Sequence, residues 1–284
     1  MERIGVVGCG LMGSGIAEVA ARAGADVVVI ERDRDAVAIG QERVERSLTR
    51  AVNAGKVPAD EADAALANLS YSTDFSRLAD RQMVVEAVAE DEAVKTEVFA
   101  TLDKVVADPD AILATNTSSI PIIKLAMVTA RPQQVIGMHF FNPVPVLKLV
   151  EVISSLLTSP ETTTRVREYA SGPLGKRVIT SPDRAGFVVN ALLIPYLLSA
   201  IRMLESGFAS AEDIDTGMMV GCAHPMGPLA LTDLIGLDTT LAVADSLYAE
   251  FKESHLAPPP LLSRMTQAGL LGRKSGQGFY SYKK

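Results

Sequence analysis

Two stretches of the sequence carry residue types that can do chemistry. The first is Gly8-Cys9-Gly10-Leu11-Met12-Gly13, a GxGxxG run. The second runs from Thr115 to Ile153 and holds Asn116-Thr117-Ser118-Ser119, then His139-Phe140-Phe141-Asn142-Pro143, then Glu151. Glycines at the first spacing suit a main chain that must approach a phosphate. Gly8 allows a tight turn, Gly10 lets the backbone come close to a pyrophosphate, and Gly13 lets helix and strand pack together. The N–H groups of a helix opening at Leu11 and Met12 then point at the anion. In the second stretch, an imidazole suits proton exchange with a substrate hydroxyl near neutral pH. A carboxylate beside it orients the ring and stabilises its charged form. His139 and Glu151 lie in two apolar runs joined by Asn-Pro-Val-Pro, so they can meet if those runs are neighbouring strands. Spacing alone leaves His139 divided between a structural and a catalytic role. Of the other two histidines, His224 precedes Pro225 in a turn and reads as structural, and His255 precedes a proline run and reads as a surface residue.

These groups need a frame, and the apolar patterning supplies one. A lone GxGxxG is a weak signal; its context makes it specific. Residues 4–8 are a short apolar run, Ile16, Val19, Ala20 and Ala23 follow at helical spacing, and 27–30 are Val-Val-Val-Ile. That is strand, glycine turn, helix and strand within about thirty residues, a βαβ unit. Glu31 ends the second strand, 18 positions after Gly13, where a carboxylate can accept hydrogen bonds from the adenosine ribose. NAD is therefore the expected cofactor. Arg32, next in sequence, is the residue type that an NADP enzyme uses, but adjacent strand-end side chains point in opposite directions. Cys9 reads as a small filler within the loop.

A charged, alanine-rich stretch from Asp35 to about Leu69 reads as a helical hairpin turning at Gly55 and Pro58. Further strands are expected at 83–88, 111–115, 135–141 and 147–153, a helix at 91–107, and a last short strand at Val178 and Ile179. After Ser181-Pro182 the pattern turns helical, with segments near 184–206, 211–219, 228–235, 237–252 and 260–268. The expected architecture is α/β: a Rossmann-like, mostly parallel sheet over residues 1–183, then a smaller all-helical domain over 184–284, which would complete the substrate cleft and form a dimer.

With 284 residues, 48% of them hydrophobic, there is material for two domains, and a net charge of −7 argues against a nucleic-acid partner. Two cysteines with no CxxC spacing give no disulfide framework or zinc site, and no metal is expected. The absence of a long apolar run or leader pattern points to a cytoplasmic protein with no membrane partner.

Beyond these readings, the sequence resembles the 3-hydroxyacyl-CoA dehydrogenase family almost end to end. The resemblance rests on the GxGxxG start, Val85-Glu86-Ala87 with Glu90 and Lys95, the Asn-Thr-Ser-Ser segment, and His139-Phe140-Phe141-Asn142-Pro143. It continues through Gly186-Phe187-Val188-Val189-Asn190, Pro225-Met226-Gly227-Pro228, Gly236-Leu237-Asp238-Thr239 and Gly276-Gln277-Gly278-Phe279-Tyr280. It implies oxidation of the 3-hydroxyl of an acyl-CoA, or the reverse, with NAD. It implies His139 as general base, Glu151 as its carboxylate, and Ser118 and Asn190 as hydrogen-bond partners of the substrate oxygen. Ser118, Glu90, Lys95, Asn142 and Lys274 match positions near the nicotinamide half of the cofactor and the domain interface. The plain alternatives are a solvated helix face for Lys95, a solvated loop for Lys274 and an ordinary strand-end carboxylate for Glu90. Adjacent lysines that relatives offer to CoA phosphates are replaced here by Asn53 and Ala54, with Arg50 or Lys56 as substitutes. The resemblance suggests a short acyl chain and a homodimer. The alternatives are a sugar-acid dehydrogenase of the L-gulonate type on the same scaffold, or a non-enzymatic nucleotide-binding relative.

Overall fold

The apolar runs of residues 3–182 come together as one eight-stranded sheet in the computed structural model, which describes residues 1–282. In chain order its elements are β1 (Arg3–Val7), α1 (Leu11–Arg22), β2 (Asp26–Ile30), α2 (Arg34–Asn53), α3 (Ala59–Ala67), β3 (Leu69–Ser72), β4 (Met83–Glu86), α4 (Glu92–Val105), β5 (Ile112–Thr115), α5 (Ile122–Ala126), β6 (Val135–Phe140), β7 (Leu149–Ser154), α6 (Pro160–Ser171) and β8 (Arg177–Pro182). The strand order is β3-β2-β1-β4-β5-β6-β7-β8. Every neighbouring pair is parallel except β6 and β7, which run antiparallel. Strands covered on both faces need continuous apolar sequence. β4 and β5 are buried throughout, and β1 and β2 from their second residue. The order reverses at β1, whose neighbours are β2 and β4, so loops leaving the C-terminal ends of these strands open the crevice where such sheets bind ligands.

Local signals explain several helix starts. Asp33 caps α2 by accepting from Ala36 N–H at 2.7 Å, and Asp91 caps α4 by accepting from Val94 N–H at 2.9 Å. Four elements depart from the sequence reading, among them α5, whose five residues are too few to show a helical period. α2 and α3 form the expected helical hairpin, and β3 follows it unannounced; its Leu-Ser-Tyr-Ser is a half-buried edge strand with little apolar signal. α6 was not anticipated, because its Thr-, Glu- and Arg-rich sequence buries only Thr162, Val166, Tyr169 and Ala170. Its start is nonetheless written locally, by Ser159 as cap and Pro160 at the first position. β8 extends over six residues rather than two, since the other edge of the sheet accepts polar positions that a central strand would not.

The chain divides into two units, Met1–Arg184 and Ala185–Lys284. The second is built from α7 (Val189–Glu205), α8 (Ala211–Gly221), α9 (Pro228–Ile235), α10 (Leu237–Phe251) and α11 (Pro260–Gln267). Its core gathers Leu197, Leu198, Leu229, Leu237, Leu247 and Leu262. Two buried aspartates tie it together. Asp215 accepts from Leu229 N–H and Ala230 N–H at the start of α9, and Asp233 accepts from Phe279 N–H and Tyr280 N–H.

Candidate active site

The groups singled out in the first unit converge on one edge of the sheet, the C-terminal ends of β1, β2, β4, β5 and β6. Gly8 follows β1 with φ +91°, a conformation that favours glycine. A Cβ on Gly13 would stand 1.9 Å from the carbonyl oxygen of Gly8, so helix and loop can meet only without it. Gly10 differs: a Cβ there would meet nothing within 4 Å. α1 starts at that open side, with no side-chain cap and no acidic residue in its first turn. Uncapped N–H groups, a helix dipole and open space fit the pyrophosphate of a dinucleotide. Leu11 is exposed and Met12 half-buried at the rim of this start. Glu31 lies at the end of β2, held by Cys9 N–H at 2.5 Å and Arg32 N–H at 3.0 Å. Arg32 is solvent-exposed and pairs with Asp33 at 3.0 Å. The residues present therefore fit NAD.

The His139–Glu151 pair is fixed by strand register. His139 of β6 lies directly opposite Glu151 of β7. Directly opposed side chains share a face, and their Cβ atoms are about 5 Å apart. His139 Nδ1 and Glu151 Oε2 are 2.7 Å apart, and the glutamate is wholly buried. With Nδ1 directed at the carboxylate, Nε2 is the nitrogen that can exchange a proton with a substrate hydroxyl. The Phe141 ring packs on the imidazole at 4.7 Å between centroids.

A second network holds the segment that carries Ser118. Glu90 Oε1 accepts from Ser118 N–H at 2.9 Å, Ser119 N–H at 3.1 Å, Ser119 Oγ at 2.9 Å and Thr117 Oγ1 at 2.5 Å. Lys95 Nζ lies 3.2 Å from Glu90 Oε2 and 2.6 Å from Glu86 Oε1. Glu86 also accepts from Thr115 Oγ1 at 2.7 Å and Val88 N–H at 2.7 Å. Burial works to raise the Glu90 carboxyl, but Lys95 and the hydrogen bonds from Thr117, Ser119 and Ser118 outweigh it and hold the group below the usual carboxylate range. Lys95 is thus no solvated helix residue: it is 1% exposed. Its ammonium is spent on two carboxylates, which makes it a support for the Ser118 segment.

Asn142 is exposed, in the β6–β7 loop. The remaining two candidates belong to the second unit. Asn190 sits in the first turn of α7. Lys274 pairs with Asp238, Nζ to Oδ2 at 2.6 Å, beside Gly236. The side chains of Glu86, Asn116 and Phe141, which belong to the motifs quoted above but had no role assigned to them, also shape the site. Asn116 Oδ1 accepts from Phe140 N–H at 2.9 Å and so ties the end of β5 to the strand that bears His139.

A Rossmann sheet with an uncapped glycine loop, a strand-end carboxylate and a buried His–Glu pair on one edge defines an NAD-dependent dehydrogenase. The sequence profile of the 3-hydroxyacyl-CoA dehydrogenase NAD-binding domain matches residues 3–184, and that of the same family's C-terminal domain matches residues 186–282. The chain belongs to the 3-hydroxyacyl-CoA dehydrogenase family. It is 59% identical over 282 residues to a 3-hydroxybutyryl-CoA dehydrogenase of Mycobacterium tuberculosis, with 99% of both chains covered. The crystal structure of M. tuberculosis FadB2 is similar, with a TM-score of 0.99 and 59% identity over 100% of this chain and 99% of the other. That of (S)-3-hydroxybutyryl-CoA dehydrogenase PaaH1 from Ralstonia eutropha gives a TM-score of 0.95 and 44% identity, each chain covered fully.

Proposed function

We propose that the chain interconverts a short 3-hydroxyacyl-CoA, of the 3-hydroxybutyryl-CoA type, and the corresponding 3-ketoacyl-CoA. The observation that carries this reading is the His139–Glu151 pair in direct strand register at the edge that bears the glycine loop. The names of the most similar relatives supply the substrate class and favour it over a sugar acid.

Bound NAD supplies the hydride chemistry at its nicotinamide ring. The Gly8–Gly13 loop and the α1 N–H groups would hold the pyrophosphate, and Glu31 would accept from the adenosine ribose. In the oxidative direction, His139 takes the proton of the 3-hydroxyl at Nε2, while Nδ1–H donates to Glu151. The buried carboxylate stabilises the imidazolium, a contribution that low dielectric enlarges. In reduction, the same atom returns the proton. Ser118, fixed through its main chain by Glu90, would hydrogen-bond the substrate oxygen as its charge changes, and the family resemblance assigns Asn190 the same role. The family resemblance also assigns Asn142 and Lys274 to the nicotinamide half, where they would assist.

The protein works as a homodimer through its helical unit, in which Leu192, Phe208 and Val220 are 74%, 79% and 79% exposed. Two unpaired cysteines and a net charge of −7 suit a cytoplasmic enzyme that has no nucleic-acid partner. Among the described residues, no helix is long and apolar enough to cross a membrane.

Acetoacetyl-CoA reduction by NADH, run beside L-gulonate oxidation by NAD, tests the substrate class. Turnover of acetoacetyl-CoA alone is expected; turnover of gulonate alone overturns the reading. Light scattering at micromolar concentration is expected to give twice the chain mass of 30.1 kDa, and a monomer mass removes the dimer.

A further inference from the structure

The glycine loop is gripped from two sides, and Glu31 is only one of them. On the other side Arg43, in α2, donates from Nη1 to the carbonyl oxygen of Cys9 at 2.7 Å. The helix can lie this close because residue 40, three positions earlier and on the same face, is glycine. A Cβ on Gly40 would stand 2.6 Å from Cys9 Cβ and 2.7 Å from Cys9 Sγ. Cys9 itself is 1% exposed, so water cannot replace the contact.

The consequence follows from peptide geometry. The carbonyl of Cys9 and the N–H of Gly10 belong to one planar trans peptide and point in opposite directions. By holding the carbonyl, Arg43 also aims the Gly10 N–H, and it aims it away from α2. Among the described residues none accepts from that N–H. Gly10 is also the position beside which a Cβ meets only open space, at the uncapped start of α1. A cation on the carbonyl further polarises the shared peptide and strengthens its N–H as a donor.

We infer that Arg43 is a positioning residue for the cofactor, which fixes the Cys9–Gly10 peptide so that its N–H meets the pyrophosphate. This rests on reading the glycine loop as the NAD site. Arg43 acts through the Cys9–Gly10 peptide, so its effect falls on cofactor affinity and not on the chemical step.

The test uses the full chain with Arg43→Met, which keeps an apolar stem, and Arg43→Lys, which keeps a donor. NADH affinity is read by fluorescence titration. ADP-ribose, which carries the pyrophosphate, and adenosine, which lacks it, are read by calorimetry. Arg43→Met is expected to weaken NADH and ADP-ribose about tenfold, the scale of one charge-assisted hydrogen bond, and to leave adenosine unchanged. The same loss appears in KM for NADH and not in kcat, and Arg43→Lys recovers part of it. Unchanged NADH affinity with only a lower melting temperature would make Arg43 a plain structural residue and overturn the inference. An equal loss for adenosine would overturn it as well. If the unmodified protein binds neither NADH nor ADP-ribose, the cofactor reading fails first and the inference falls with it.

Discussion

A phosphate on the adenosine ribose is the perturbation to which the Glu31 geometry is most sensitive. Its carboxylate cannot turn away, because Cys9 N–H and Arg32 N–H hold one oxygen each. Two unit charges about 4 Å apart repel by about 4 kcal/mol at an effective dielectric of about 20. Glu31 is half-buried, and solvent screening of that exposure leaves about 2 kcal/mol. The lost hydrogen bond to the 2′-hydroxyl costs about 1 kcal/mol more. Together these set a preference for NADH over NADPH of about 100-fold. Arg32 offsets little of it, since a solvent-exposed ion pair is worth about 0–1 kcal/mol and its guanidinium already pairs with Asp33. The assay is kcat/KM for acetoacetyl-CoA reduction with each cofactor at one ionic strength. Glu31→Ala should weaken NADH and narrow the ratio. Equal or better use of NADPH by the unmodified protein, or an unchanged ratio in Glu31→Ala, would refute the reasoning.

Glu151→Gln should lower kcat by about 10²–10⁴, because a glutamine amide can donate to Nδ1 and leave the ring proton on Nε2, where a base is needed; steady-state rates at saturating substrates check this, and wild-type turnover contradicts it. Glu90 titrates below its unfolded value, so its contribution to stability is present above an ordinary carboxylate pKa and is lost as pH falls through the folded one. The gap in melting temperature between wild type and Glu90→Gln should therefore shrink on acidification from neutral pH, and a widening gap would contradict the sign. Burial, with Glu31 adding to it and Arg43 opposing, pushes the Cys9 thiol up to about 12, whereas Cys222 is exposed. Iodoacetamide at mild alkaline pH should label Cys222 and spare Cys9 in the folded protein, as peptide mass spectrometry would show.

The sheet was legible because buried parallel strands need unbroken apolar runs, and Val27-Val28-Val29-Ile30 or Met83-Val84-Val85 can hardly be anything else. Edge and surface elements were less so. β3 and α6 owe their form to neighbours, and their polar residues dilute the period that reveals an element. The same division runs through the site. GxGxxG and Glu31 are local, separated by one helix, and their spacing specifies their meeting. His139 and Glu151 meet through strand register, which Asn-Pro-Val-Pro between two apolar runs only suggests. Lys95 illustrates the limit. The resemblance places it near the cofactor with a solvated helix face as the plain alternative, and only the fold shows Glu86 and Glu90 closing around its ammonium. Arg43 and Gly40 are similar, since their contact with Cys9 depends on where α2 packs.

The central claim is that His139 moves the substrate proton in a site that binds the cofactor independently of it. The most direct measurement is acetoacetyl-CoA reduction by His139→Ala, with NADH affinity titrated in the same preparation. Loss of general-base assistance should lower kcat by about 10²–10⁴ while NADH binds as in the unmodified protein. Turnover near the wild-type rate in a variant that binds NADH normally would contradict the account.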